Sequence, residues 1–392
     1  MLYQRKIYKK LKKYIREKQV IVITGMRRVG KTTILKQILS EIKSDNKAYF
    51  DLEKLSDRNV FDQNNYDNIL LDIESKGIDI KNKIYLAIDE IQFLPNITSV
   101  IKYLYDHYDI KFFVTGSSSY YLKNLFTQSL AGRKIIFEMF PLDFGEFLTF
   151  KEVFYGKKNP FEEKFSAFEF ERLRFYYEEF INFGGFPEIV LTKKEELKKE
   201  LLNDIISSYV NIDIKALSDF RKGKEIYALI KMLAARIGTR LDYNKLSSLT
   251  GLSRHTVEEY IDFFEKTYLI YRVPVHTNNT DREIVKAKKV YFCDNGLLDI
   301  LAESSSGSKF ENAFFHQIRH IGDIRYYALK DGSEIDFILD KKMALELKES
   351  PTKNDLNRLA RLSKIAGIKK YRLVGRKNVP KFDNYIWGGN IG

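Results

Sequence analysis

Eight consecutive residues, Gly25-Met26-Arg27-Arg28-Val29-Gly30-Lys31-Thr32, set two glycines, a lysine and a hydroxyl at the spacing G-x-x-x-x-G-K-[ST]. Glycines there let backbone N–H groups turn inward around phosphate oxygens, and a helix N-terminus behind the loop adds positive potential. Lys31 would reach the β- and γ-phosphates and the Thr32 hydroxyl would ligate a metal ion. The candidate nucleotide-binding set is Gly25, Met26, Arg27, Arg28, Val29, Gly30, Lys31, Thr32 and Thr33, and the expected ligand is ATP with Mg²⁺. A glycine turn without nucleotide is the plain alternative.

Such a loop needs an acidic partner on another buried strand. Ile84-Tyr85-Leu86-Ala87-Ile88-Asp89-Glu90 supplies one. Asp89, at the strand end, would hold Mg²⁺, and Glu90 would polarise the attacking water. The alternative is an N-cap pair for the next helix. Small polar residues at the end of a third apolar run, Thr115-Gly116-Ser117-Ser118, could sense the γ-phosphate or form an ordinary turn. Arg133, in Leu130-Ala131-Gly132-Arg133, is a candidate to neutralise transition-state charge in its own subunit or a neighbour; otherwise it is a surface cation. The candidate catalytic residues are therefore Lys31, Glu90 and Arg133.

A second chemistry is written near the C-terminus. Asp336 lies in the strand-like run Glu334–Leu339, and Glu346-Leu347-Lys348 follows beyond Asp340-Lys341-Lys342. In a strand, residues two apart share a face, so Glu346 and Lys348 project together. A turn centred on Lys341 would bring Asp336 opposite Glu346. This order is similar to the D…ExK core of metal-dependent nucleases, with Glu311 as an additional helix acid and Asp336 and Glu346 as candidate metal ligands. Ile335, not proline, precedes Asp336. The alternatives are a scaffold kept for binding and a surface Glu346–Lys348 ion pair. His316 and His320, four apart, read as a surface pair rather than a zinc site, and Cys293 as a small buried residue.

These groups need elements to hold them. Short apolar runs alternate with helical patterns from Val20 to about Phe140, which predicts a parallel α/β sheet. The expected strands are Val20–Thr24, Ala48–Asp51, Ile84–Ile88, Lys111–Thr115 and Lys134–Phe137, nearly all apolar as for strands buried on both faces. Residues 1–19 predict one amphipathic helix, with Ile7, Leu11 and Ile15 four apart. Residues 224–275 predict three helices and a strand, a winged-helix pattern in which Ser253 caps the third helix. That helix carries Glu258, Glu259, Asp262 and Glu265 against Arg254 and Lys266, so base reading would lean on Arg254 and His255. DNA binding and a protein-facing role are both open for it.

The stretches Gly25–Thr32, Leu86–Glu90, Thr115–Ser118, Leu130–Arg133, Pro141–Phe147 and Gly184-Gly185-Phe186-Pro187-Glu188 together resemble a family of archaeal and bacterial ATP-binding proteins. Its members have an AAA-type ATPase domain followed by a C-terminal region long called a domain of unknown function, of restriction-endonuclease-like character. The resemblance spans nearly the whole chain and implies an ATP-binding, ATP-hydrolysing cytoplasmic protein.

Length and composition agree. The 392 residues imply two to three domains. The expected fold class is α/β: an AAA-type P-loop NTPase sheet over 1–150, a helical lid or linker over 151–220, a winged-helix-like domain over 221–289 and an endonuclease-like α/β domain over 290–392. No apolar run suits a membrane helix, and the single cysteine fits a reducing cytoplasm. The net charge is +13, concentrated at the ends: +7 over residues 1–19 and +9 over 341–392. Basic ends suit a polyanion. DNA or RNA and a protein partner are the expected classes, the oligomeric state is open, and the function expected is an ATPase whose nucleotide state regulates a C-terminal nucleic-acid module. The alternatives are a nucleotide-dependent switch that binds protein and an ATP-dependent metal nuclease.

Overall fold

The computed structural model describes residues 3–116, 130–156, 161, 166–214, 223–277, 279–377 and 382–390. The chain divides into two compact units, 1–140 with 266–268, and 141–265 with 269–392. Residues 141–150 thus belong with the second unit, ten residues earlier than the boundary expected from sequence.

The first unit is built on five strands, β1 (Val20–Thr24), β2 (Lys47–Asp51), β3 (Ile84–Asp89), β4 (Ile110–Gly116) and β5 (Lys134–Glu138), in the order β2-β3-β4-β1-β5. All pairings are parallel. β1 and β4 are buried along their whole length, which is why they read as unbroken apolar runs. Ile69, Ile73, Ile97, Ile101 and Leu104, from flanking helices, pack with Val22, Leu86, Ile88, Phe112 and Val114 in one core.

The N-terminal helix is shorter than its periodicity predicts. It runs Lys6–Lys12 and then turns. Lys111, buried on β4, explains the stop: its ammonium takes the carbonyls of Tyr14 (3.0 Å), Glu17 (2.6 Å) and Gln19 (2.6 Å), acceptors that a continuing helix would have used itself. Burial lowers the Lys111 pKa to about 8.

The second unit holds helices 144–150, 167–183, 187–191 and 195–208, then 223–234, 243–250 and 254–266. β6 (Ile270–Val273) and β7 (Lys289–Phe292) pair antiparallel. Ser253 caps the helix Arg254–Lys266, and Val257, Ile261 and Phe264 are buried. β8 (Ile324–Ala328), β9 (Glu334–Leu339), β10 (Met343–Lys348), β11 (Lys370–Gly375) and β12 (Tyr385–Trp387) form a mixed sheet in the order β12-β11-β10-β9-β8. β9 runs antiparallel to β8 and β10, while β10, β11 and β12 are parallel. The helix Lys353–Ile365 covers this sheet with Leu356, Leu359 and Leu362 against Ile335, Ile338, Ala344 and Leu373. Among the described residues no helix is long and apolar enough to cross a membrane.

The motifs that follow the first unit hold the second together. Asp143 caps the helix 144–150 by accepting from Glu146 N–H (2.9 Å). Buried Asp294 accepts from Gly185 N–H (2.6 Å) and Gly296 N–H (2.8 Å). At Gly184, φ is +75° and a Cβ would lie 1.8 Å from Asp294 Oδ1, so only glycine fits. Asn295 spans the carbonyls of Ile181 and Lys309, both at 2.8 Å, and accepts from Asn312.

Candidate functional site

The phosphate loop leaves the C-terminal end of β1 and enters the helix Lys31–Glu41. Two glycines shape it. Gly25 has φ +154° with Met139 O 2.0 Å from where a Cβ would stand, and Gly30, the N-cap, has φ +96°. The side chains of Met26 and Val29 are buried, so these positions offer backbone; Thr32 is half-buried, and Arg28 and Thr33 are exposed. The helix has no side-chain cap at its N-terminus and no acid in its first turn, so no carboxylate of that turn offsets its positive end, which favours an anion. Lys31, buried, donates to Gly25 O and Met26 O, each at 3.0 Å. Phosphate oxygens are stronger acceptors for an ammonium than these carbonyls, so the loop fits a triphosphate.

The acidic strand end is equally built. Asp89, buried, accepts from the Tyr49 hydroxyl (2.9 Å) and the Thr115 hydroxyl. Burial, and then the Asp89 charge, push the Tyr49 hydroxyl far up, so it stays a donor. Glu90 sits in the left-handed region at φ +52°. Its N–H reaches Asp89 Oδ1 and Thr115 Oγ1, both at 3.2 Å, and Gln92 donates to its carboxylate. Thr115 is therefore a brace between β3 and β4. Ser117 and Ser118 lie outside the described residues.

Two residues of this site escape a motif search. Tyr49 is one. Arg5 is the other: buried, it donates to Val29 O in the loop (2.8 Å) and to Phe140 O (2.7 Å). Neither belongs to a recurring spacing, since each reaches its partner across tens of residues of sequence.

Arg133 is not brought to the phosphates of its own chain. It precedes β5, and its carbonyl accepts from Val20 N–H, at the start of β1 rather than the end that carries the loop. Five residues of strand, about 16 Å, separate the two ends. Its guanidinium pairs with Asp106 (2.9 and 3.3 Å).

In the second unit, Asp340 and Lys341 take positive φ (51° and 57°), and Lys342 N–H closes on Leu339 O (2.9 Å). The register pairs Leu339 with Met343, Ile338 with Ala344 and Phe337 with Leu345, and Asp336 and Glu346 are the next residues on the two strands. Asp336 Oδ2 accepts from Leu347 N–H (2.8 Å), and Glu346 pairs with Lys348 (2.9 Å). The Asp336 charge acts on both Glu346 and Glu311, and those two carboxyls are pushed up to about 7, first by burial. The expectation of a metal held by Asp336 and Glu346 does not fit what surrounds them. Among the described residues no group of three or more His, Cys, Asp or Glu is arranged to hold a metal ion. Lys289, which no motif pointed to, stands among the acids instead: its ammonium is 3.1 Å from Glu334, 3.7 Å from Glu311 and 3.8 Å from Asp336.

His316 also differs from expectation. It is buried, with its Nε2 2.6 Å from Phe292 O, and burial holds it far below the usual histidine range, so it is a neutral core residue. Cys293 is buried, and burial raises its thiol far above the usual range.

A family model described as an AAA domain matches residues 17–148, and one described as a domain of unknown function matches 174–308. The uncharacterized protein MJ1544 of Methanocaldococcus jannaschii is 32% identical over 335 residues, which are 82% of this chain and 72% of that protein. An uncharacterized protein of Haemophilus influenzae is 27% identical over 354 residues, 85% of this chain and 84% of its own. A solved structure, the Walker-type ATPase PABY2304 of Pyrococcus abyssi, is similar over 76% of this chain and 96% of its own, at 14% identity and a TM-score of 0.46. With its parallel five-stranded sheet, glycine loop and AAA-domain match, the chain is an AAA-type P-loop ATPase and belongs to the family of MJ1544.

Proposed function

We propose that the chain binds and hydrolyses ATP–Mg²⁺ at Gly25–Thr33 and uses its nucleotide state to control a nucleic-acid contact made by the second unit. The observation that carries the ATPase reading is the joint placement of Lys31 inside the glycine loop and Asp89–Glu90 at the end of β3. Lys31 and the loop amides hold the β- and γ-phosphates. Thr32 and Asp89 would hold the Mg²⁺, which when bound neutralises charge developing on the phosphates. Tyr49 and Thr115 fix the Asp89 carboxylate. Glu90, pinned through its N–H and by Gln92, accepts the proton of the attacking water. Arg133 would act only toward the phosphates of a neighbouring subunit.

The nucleic-acid half rests on the helix Lys353–Ile365 and the turn after it. Lys353, Arg358, Arg361, Lys364, Lys369 and Lys370 are all exposed there. The acid of that helix, Asp355, is consumed in a capping box with Thr352. Arg358 also acts electrostatically on Glu346 and Lys348, so the D…ExK strands lie beside this cationic face. The architecture of helices 223–266 with β6 and β7 supports a winged-helix-like module, and the β8–β12 sheet with the helix 306–318 supports a restriction-endonuclease-like one. The third helix of the former favours a second reading, a protein-facing switch: Arg254 pairs with Glu258 (2.8 Å), His255 lies 3.4 Å from Glu259, and Asp262 and Glu265 hold Arg272.

Titrating labelled duplex at two salt concentrations, with and without ATP–Mg²⁺, separates the readings. Binding should fall steeply with salt, because each neutralised phosphate releases counterions. Arg361→Glu with Lys364→Glu should lower the log–log salt slope by about two. No binding at low salt would overturn the nucleic-acid half and leave the protein-facing switch.

A further inference from the structure

Four carboxylates of the second unit meet around two lysines. Glu311 comes from the helix Ser306–Ile318, Glu334 and Asp336 from β9, and Glu346 from β10. Lys289 comes from β7, whose pairing to β6 fixes its backbone. Its side chain is 1% exposed. A buried ammonium is tolerated only with counter-charges, and Lys289 has three at 3.1–3.8 Å, with the ammonium nearly equidistant from Glu311 Oε1 (3.7 Å) and Asp336 Oδ1 (3.8 Å). Two of these carboxylates have further donors: Glu311 Oε1, the oxygen facing Lys289, also accepts from the Tyr291 hydroxyl (2.6 Å), and Asp336 Oδ2 accepts from the Leu347 amide. Lys348 meets Glu346 Oε1, while Glu346 Oε2 is buried with no hydrogen-bond partner and can carry a proton.

A divalent ion bridging Glu311 and Asp336 would require their oxygens at about 2.0–2.6 Å from the metal, directly beside a buried positive charge. We infer that Lys289 is the resident cation of this cluster, standing where a metal would otherwise join Glu311 to Asp336, and that the second unit works without a bound divalent ion. The D…ExK strands then serve to hold a basic face rather than to activate water, which distinguishes a binding module from a nuclease.

Mn²⁺ titration of the full-length, nucleotide-free protein, followed by electron paramagnetic resonance, tests this directly. Wild type should show no saturable Mn²⁺ site that Asp336→Asn removes. Lys289→Ala should gain one, at least about tenfold tighter than any binding in wild type and lost again when Asp336→Asn is added. Removing one partner of a buried ion pair can unfold a protein, so Lys289→Met, which keeps the apolar stem, provides the same reading should the alanine variant fail to fold. Saturable wild-type binding that Asp336→Asn abolishes would overturn the inference without any Lys289 variant. A folded Lys289→Ala or Lys289→Met protein that gains no site would overturn it as well.

Discussion

Two lysines, both buried, are handled in opposite ways. Lys31 donates to the carbonyls of Gly25 and Met26, neutral acceptors on a loop that leads into a helix with no acid in its first turn. Lys289 is held by carboxylates arriving from a helix and a strand, inside a packed sheet. The first arrangement invites an anion to replace the protein's own acceptors. The second leaves nothing for a ligand to replace. The same side chain thus serves as a ligand-binding group in one unit and as a permanent counter-ion in the other. What decides between them is the charge and the mobility of its partners.

The largest way to sharpen this contrast is Glu90→Gln. It keeps the size and hydrogen bonding of the group but removes the proton acceptor, so kcat for ATP hydrolysis should fall about 100- to 10,000-fold with affinity nearly unchanged. Steady-state hydrolysis and ATP titration check it; a wild-type rate would assign water positioning to another group. Gly25→Ala should come next, since a Cβ there would stand 2.0 Å from Met139 O. Distorting the loop should weaken ATP binding by about 100-fold while circular dichroism stays native. Arg5→Ala is milder. It removes the bond that holds Val29 O and should cost about tenfold in ATP affinity, with Arg5→Lys intermediate.

A separate prediction concerns the second unit and pH. Burial pushes the carboxyls of Asp294, Glu311 and Glu346 up to about 7. Unfolded, they titrate near their ordinary value of about 4. Between roughly pH 4 and 7 the folded state therefore binds more protons than the unfolded one. The stability those protonated groups confer is complete below about pH 4 and is lost as pH rises through 7. Calorimetry should show the Tm of the second unit falling from about pH 5 to 8, and Asp294→Asn should flatten that fall; an unchanged profile would remove Asp294 from this account.

What was legible in the sequence was local. The strands of the first unit are short, mostly apolar runs separated by helical patterns, least broken in β1 (VIVIT), and the glycine loop fixes where β1 ends. The β9–β10 register follows from a turn at Lys341 and the twofold alternation of strands. What was not legible depends on partners far away in the chain. The helix at Lys6–Lys12 ends early because Lys111 draws in the carbonyls that follow. Arg133 is displaced because β5 enters the sheet with its first residue at the edge away from the loop. His316 is buried because Phe292 O lies over it. Lys289 sits 45 residues from Glu334, and no spacing rule connects them.

The most direct test of the central claim is ATP–Mg²⁺ titration by calorimetry on wild type and Lys31→Ala. If the loop's lysine is held for exchange with phosphate, wild type binds and Lys31→Ala loses about 10- to 100-fold in affinity, the worth of a hydrogen bond to a charged group. Equal affinity in the two proteins would contradict the assignment of Gly25–Thr33 as the nucleotide site.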